Sequence, residues 1–142
     1  MIDAKELRIG NWIIFKGYRK QIISIREWAA ERGIYLIDLG DTREEMGIRT
    51  IDIHPIPLTT EILEKCGFKL CANYSDNDYT VYYDNDVDLF LTLNWRDRET
   101  GFNPQKPNYE GELESFGIEI KYLHQLQNLY YALTQKELEV NL

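Results

Sequence analysis

Only two cysteines, Cys66 and Cys71, occur in the chain. Two thiols do not make the dense disulfide framework that small secreted domains rely on. Long apolar runs are missing too: nothing approaches the roughly 18 residues that span a bilayer. The opening MIDAKELRIG has no basic stretch leading into an apolar one, so no secretory leader is expected. These absences predict a cytoplasmic protein with reduced thiols, in which the Asn73-Tyr74-Ser75 sequon carries no meaning.

Soft metal ligands are equally scarce. His54, Cys66, Cys71 and His124 are all there are, and their spacing fits no zinc module. The run Asp84-Asn85-Asp86-Val87-Asp88 starts like a calcium loop. However, Leu89 stands where that loop needs glycine and Trp95 where it needs its last acid. A glycine-rich phosphate cradle, a nucleophile elbow and a His-Glu-x-x-His pair are absent as well. No cofactor, metal or catalytic residue is therefore assigned, and an enzyme would have to assemble carboxylates scattered along the chain.

What is present suffices for a folded core. Of 142 residues, 44% are hydrophobic and 13% aromatic, well above the composition of disordered chains. A single domain over 1–142 is expected, with a β subdomain at 1–58 and the remainder at 59–142. The net charge of −8 is uneven. Residues 1–60 hold nine basic and nine acidic side chains, whereas residues 61–142 hold seven basic and fifteen acidic. A phosphate backbone would be repelled by that second half, which argues against general nucleic-acid binding.

The pattern predicts an α+β fold. ELRIGNWIIF reads as an entering strand, KGYR as a turn, and KQIISIREW as a second strand. After the turn ERG come the strand IYLIDLG, the polar loop DTREEMG, and IRTIDIHPIPL with Ile51 and Ile53 on one face. Four short strands so spaced suggest a small SH3-like antiparallel β-barrel, a fold that indicates no function by itself. Leu58-Thr59-Thr60-Glu61 is a helix start, and Gly67 is placed to end that helix. A β-meander is expected from FKLCANY, YTVYYD and DLFLTLNW, with Leu89, Leu91, Leu93 and Trp95 on one side. Residues 96–113 read as a structureless loop, and ESFGIEI as a last strand into a long C-terminal helix. Thr134-Gln135-Lys136-Glu137 has capping-box spacing for a further helical turn.

Two regions are candidate ligand or partner sites. The first is Trp95, Arg96, Arg98, Phe102, Asn103, Lys106 and Tyr109, where three of the second half's seven basic residues meet aromatics. Cations beside aromatic faces suit phosphate and base recognition. The second lies on the closing helix, where nothing from Tyr122 to Gln135 carries a formal charge. At 100° per residue, Tyr122, Leu123, Leu126, Leu129, Tyr130 and Leu133 form a core stripe. The opposite face holds His124, Gln125, Gln127, Asn128, Tyr131 and Ala132. Amides and a phenol suit partial burial because they avoid the cost of desolvating charge. That face could lie beneath the 96–113 loop, against a second subunit or partner, or against a small molecule.

Three segments, KELRIGNWI, PIPLTTEILEKCGF and IEIKYLHQLQNLYYALTQKEL, resemble a family of small uncharacterised proteins encoded by bacteriophages and mobile elements of gut bacteria. Members share an IGN entry strand, an IPLT-type helix start before GF, and a closing K-Y-x-HQLQNLY-ALT helix. Many have glycine after ALT, where this chain has Gln135. The family has no established activity, so no catalytic residue carries over. The resemblance implies a non-enzymatic accessory protein in the conflict between phage and host. Sequestering a nucleotide signal of a bacterial defence system is the leading expectation. The alternatives are a protein–protein inhibitor or nucleic-acid mimic acting through the acidic half, a small nucleotide-processing enzyme, or a structural phage protein. A homo-oligomer through the closing helix and a host defence protein are possible partners. No membrane partner is expected.

Overall fold

The computed structural model describes residues 2–84, 86–94 and 101–142. The fold is α+β, with antiparallel pairing throughout the described strands. It divides into two compact units. The first holds residues 1–57 and 123–129, and the second holds 58–122 and 130–142.

In the first unit, a single 3-10 turn at Ala4–Glu6 precedes β1 (Trp12–Phe15) and β2 (Tyr18–Gln21). Phe15 faces Tyr18, so the hairpin turns on Lys16-Gly17 alone, at φ 50° and 81°. Two successive left-handed residues match the right-handed twist of the strands, which is why glycine serves here. Next come β3 (Ser24–Glu27), β4 (Tyr35–Asp38), β5 (Ile48–Arg49) and β6 (Ile53–Pro55). They form two three-stranded sheets, ordered β2-β1-β6 and β3-β4-β5. The expected SH3-like barrel is not found: among the described residues there is no closed barrel. Instead one strand path bends between sheets. The Ile22 N–H donates to Asn11 O at 2.9 Å, whereas the Ile23 N–H donates to Asp38 O at 3.0 Å. Ile2, Leu7, Ile13, Ile22, Ile37 and Ile53 belong to the shared core. Ile51, expected on the same face as Ile53, is exposed because a 3-10 turn at Thr50–Asp52 breaks the alternation.

The IGN segment is not a strand. The Asn11 N–H donates back to Arg8 O at 3.1 Å, and Gly10 sits at φ 94°. That geometry suits a tight turn whose third residue must be left-handed, a place glycine fills without a Cβ clash. Strand β1 therefore begins only at Trp12.

In the second unit, α1 (Thr60–Lys65) starts as expected: Thr59 Oγ1 accepts the Ile62 N–H at 3.2 Å. Gly67, at φ 87°, ends it. A five-stranded sheet follows, ordered β11-β10-β9-β8-β7. Its strands are β7 (Lys69–Leu70), β8 (Tyr79–Asp84), β9 (Leu89–Asn94), β10 (Asn103–Pro107) and β11 (Leu113–Ser115). The central β9 buries both faces, Phe90 and Thr92 as well as Leu89, Leu91 and Leu93. Residues 103–107 and 113 of the expected loop 96–113 are thus strand, while 96–100 lie outside the described residues. Two prolines hid β10, since proline lacks the donor a ladder uses. Pro104 pairs opposite Leu91 and gives its carbonyl to the Phe116 N–H at 3.0 Å, which needs no donor from proline. Asn108 turns the β10–β11 hairpin, its Oδ1 accepting the Glu110 and Glu112 N–H groups at 2.9 and 3.0 Å.

The closing helix α2 (Leu123–Thr134) gives its first seven residues to the first unit and the rest to the second. No helical turn begins at Thr134. Its hydroxyl instead donates to Tyr130 O at 2.8 Å and accepts the Lys136 N–H at 3.0 Å, closing the helix end. Gln135 adopts φ 60° and donates its N–H to Tyr131 O at 2.8 Å. Gln135 therefore takes the left-handed capping role that glycine fills most cheaply. A left-handed non-glycine residue costs about 1–2 kcal/mol, partly offset by glycine's greater freedom when unfolded. Gln135→Gly should accordingly stabilise the chain by about 0.5–1 kcal/mol in urea titration.

Candidate functional site

On the uncharged face of α2, His124 and Gln127 are buried, Gln125, Asn128 and Tyr131 are half-buried and Ala132 is exposed, and the IGN turn of the same unit packs against Gln127 and Asn128. Gln127, buried, accepts the Trp12 N–H on Oε1 at 2.9 Å and donates from Nε2 to Gly10 O at 3.0 Å. Asn128 Oδ1 accepts from Arg8 Nη1 at 3.1 Å and from Asn11 Nδ2 at 2.9 Å. The Asn128 Nδ2 donates to Glu6 O at 2.6 Å. Asn11, itself fully buried, accepts the Arg8 N–H on Oδ1 at 2.7 Å. One helical turn thus satisfies backbone groups that a tight turn leaves without ladder partners. Lys or Glu in these places would bring charge into the same dry space.

His124 is 1% exposed, with Nε2 3.7 Å from Glu6 Oε2. Burial holds its pKa below the usual histidine value, and the Glu6 carboxylate opposes that shift. Of the other candidates on this helix, Gln125 and Tyr131 are half-buried. Leu123 and Leu126 of the core stripe are fully buried, while Leu133 is exposed.

Trp95, Arg96 and Arg98 lie outside the described residues. Phe102 is core: its N–H and carbonyl exchange two 2.7 Å bonds with Ile120. Asn103 Oδ1 accepts the Ser115 hydroxyl at 2.7 Å. Tyr109 is 97% exposed at the hairpin tip. Lys106, by contrast, lines a cavity. The two candidate regions fall in different units, apart from Tyr131, which belongs with the 102–109 group in the second.

That cavity, a groove in the second unit, has two lobes. One, of about 560 Å³, is lined by Asp86, Val87, Lys106, Tyr130, Thr134 and Lys136, among others. The other, of about 530 Å³, adjoins Lys69, Tyr83, Asp84, Glu137 and Glu139, and shares Asp86, Tyr130 and Lys136 with the first. Strand β7 supplies Lys69 directly opposite Tyr83 of β8. Strand β10 supplies Lys106, and the helix end supplies Tyr130 and Thr134. Lys65 and Lys121 of this unit pair with Glu61 and Glu119, but Lys69, Lys106 and Lys136 enter no ion pair among the described residues. Burial raises the pKa of Asp84, and burial together with Asp84 and Asp86 raises that of Tyr130, so the phenol stays a donor at neutral pH. Cys66, at one wall, is pushed up to about 12 by burial and is not a thiolate nucleophile. Sequence reasoning missed Lys69, Tyr83, Asp84, Asp86, Tyr130 and Lys136 as a group because no local spacing links them.

Comparison with protein-family models, curated proteins and solved structures gave no match.

The His124 environment fixes a pH dependence. A base whose folded pKa is depressed binds protons more readily when unfolded, so stability should fall as pH drops below the unfolded value of about 6.5. The slope should approach, at most, about 1.4 kcal/mol per pH unit. Urea midpoints at pH 7.5 and 5.5 should show this loss in the wild type, and His124→Gln should flatten it.

Proposed function

We propose that this is a phage or mobile-element accessory protein that acts by stoichiometric binding, capturing a nucleotide signal made by a bacterial defence system. One observation carries the reading: the groove gathers three lysines free of ion pairs among the described residues, with the phenols of Tyr83 and Tyr130, in the acidic half of the chain. Lysines offer phosphate a point charge, and phenols give a base a flat partner with a polar tip. Each lobe falls within the roughly 300–1,000 Å³ of small-molecule sites. The resemblance to phage-encoded proteins supplies the biological setting. A cytoplasmic location fits it: among the described residues no helix is long and apolar enough to cross a membrane.

A second reading, masking of a host protein, draws on the exposed segment after β10. There Glu110, Glu112, Glu114 and Glu119 stand beside exposed Tyr109, Phe116 and Ile118. Exposed aromatic and aliphatic groups ringed by charge are an interface composition.

Purified protein titrated with ADP-ribose and with a cyclic adenylate should melt higher with one of them. At a hundredfold excess over Kd the gain should be about 2.7 kcal/mol. Denaturation should then return the ligand chemically intact, one per chain. Conversion of ligand by substoichiometric protein would replace capture with catalysis. A flat melting temperature together with a co-purifying host protein would favour masking.

A further inference from the structure

The two lobes of the groove differ in charge. The lobe at Lys106 has two ammonium groups, Lys106 and Lys136, and one carboxylate, Asp86. The lobe at Lys69 has Lys69 and Lys136 against Asp84, Asp86, Glu137 and Glu139. A wholly anionic ligand would be repelled from the second lobe. A wholly cationic one would meet only ammonium excess in the first. A ligand with phosphate at one end and hydroxyl or amino donors at the other matches both.

We infer that the groove takes a ribonucleotide, its phosphates over Lys106 and Lys136 and its ribose hydroxyls turned to Asp84 and Asp86. This rests on the nucleotide reading above and gives it a direction. Asp84 is 8% exposed and accepts the Asp86 N–H on Oδ1 at 2.8 Å. So little water reaches this carboxylate that a donated hydroxyl is worth more to it than to a solvated acid. Asp86 is exposed and borders both lobes, where it meets the sugar as it passes from one to the other. Tyr130 also borders both lobes and keeps its phenolic proton, which it donates toward a phosphate or ring oxygen. Vicinal hydroxyls facing carboxylates separate ribose from sugars that lack them, because a carboxylate without its donor is left short of hydrogen bonds.

Calorimetric titration of the full chain with ATP, 2′,3′-dideoxy-ATP, adenosine and ADP-ribose tests this. ATP should bind about tenfold or more tightly than its dideoxy analogue. Lys106→Ala should weaken ATP about tenfold and leave adenosine within about twofold. Asp86→Asn, at an exposed position that tolerates an amide, should erase the preference for ATP over the dideoxy form, and circular dichroism should confirm that the variant is folded. Equal affinity for the two triphosphates, with ATP still bound, overturns the ribose assignment and leaves nucleotide capture standing. An unchanged preference in Asp86→Asn overturns it as well. Failure of both ATP and ADP-ribose to bind overturns both the direction and the capture reading.

Discussion

The amide of Gln127 is the pivot of the first unit. Its oxygen takes the Trp12 N–H and its nitrogen gives to the Gly10 carbonyl, so one side chain acts as a short strand edge for a turn. At this tight turn, with Gly10 at φ 94°, the Gly10 carbonyl also accepts Gln21 Nε2 at 2.9 Å, whereas the Trp12 N–H finds its acceptor in Gln127. Losing such a partner costs about 1–3 kcal/mol per orphaned group, more than most surface contacts contribute. This demand accounts for the amides on the opening turns of a helix that carries no formal charge. There the helix supplies neutral hydrogen-bonding groups, and the charge comes from the turn side, with Arg8 on Asn128 and Glu6 beside His124.

The same docking brings together KELRIGNWI, PIPLTTEILEKCGF and IEIKYLHQLQNLYYALTQKEL. IGN supplies the turn, and HQLQN supplies the amides that satisfy it. The Leu123 N–H donates to Ile56 O at 2.9 Å in the first unit, and the Leu58 N–H donates to Lys121 O at 2.8 Å in the second. The start of the closing helix is therefore tied by its backbone to the IPL segment. The helix that serves the first unit with its opening turns serves the second with its end, where Tyr130 and Thr134 form one wall of the groove.

Local signals were readable wherever the chemistry was local. Thr59 as a cap, Gly67 as a stop and the burial of Leu89, Leu91 and Leu93 all follow from neighbours a few residues apart. The turn read at KGYR holds at Lys16-Gly17, while Tyr18 and Arg19 belong to β2. Strand β10 was not readable, because Pro104 and Pro107 argue against a strand until the Phe116 N–H that takes the Pro104 carbonyl is known. Periodicity marked the far face of α2 as partly buried, yet the covering element, a turn more than a hundred residues away, leaves no trace in the helix's own pattern. Lys106 was picked out beside aromatics in its own segment, but its groove neighbours come from three other stretches of chain. The single bent path at Ile22-Ile23 shows why four strand signals misled about closure. Strand count and spacing do not say where a chain switches sheets.

Asn11 and Asn128 offer the most direct test of this docking, because their side chains meet at 2.9 Å across 117 positions of sequence. A double-mutant cycle with Asn11→Ala and Asn128→Ala, read by urea unfolding, isolates their interaction from the other bonds each makes. The account predicts a coupling energy of about 0.5–3 kcal/mol, the range of residues that share one hydrogen-bond network. Strictly additive losses would contradict it, since the helix face and the turn would then be stabilised independently.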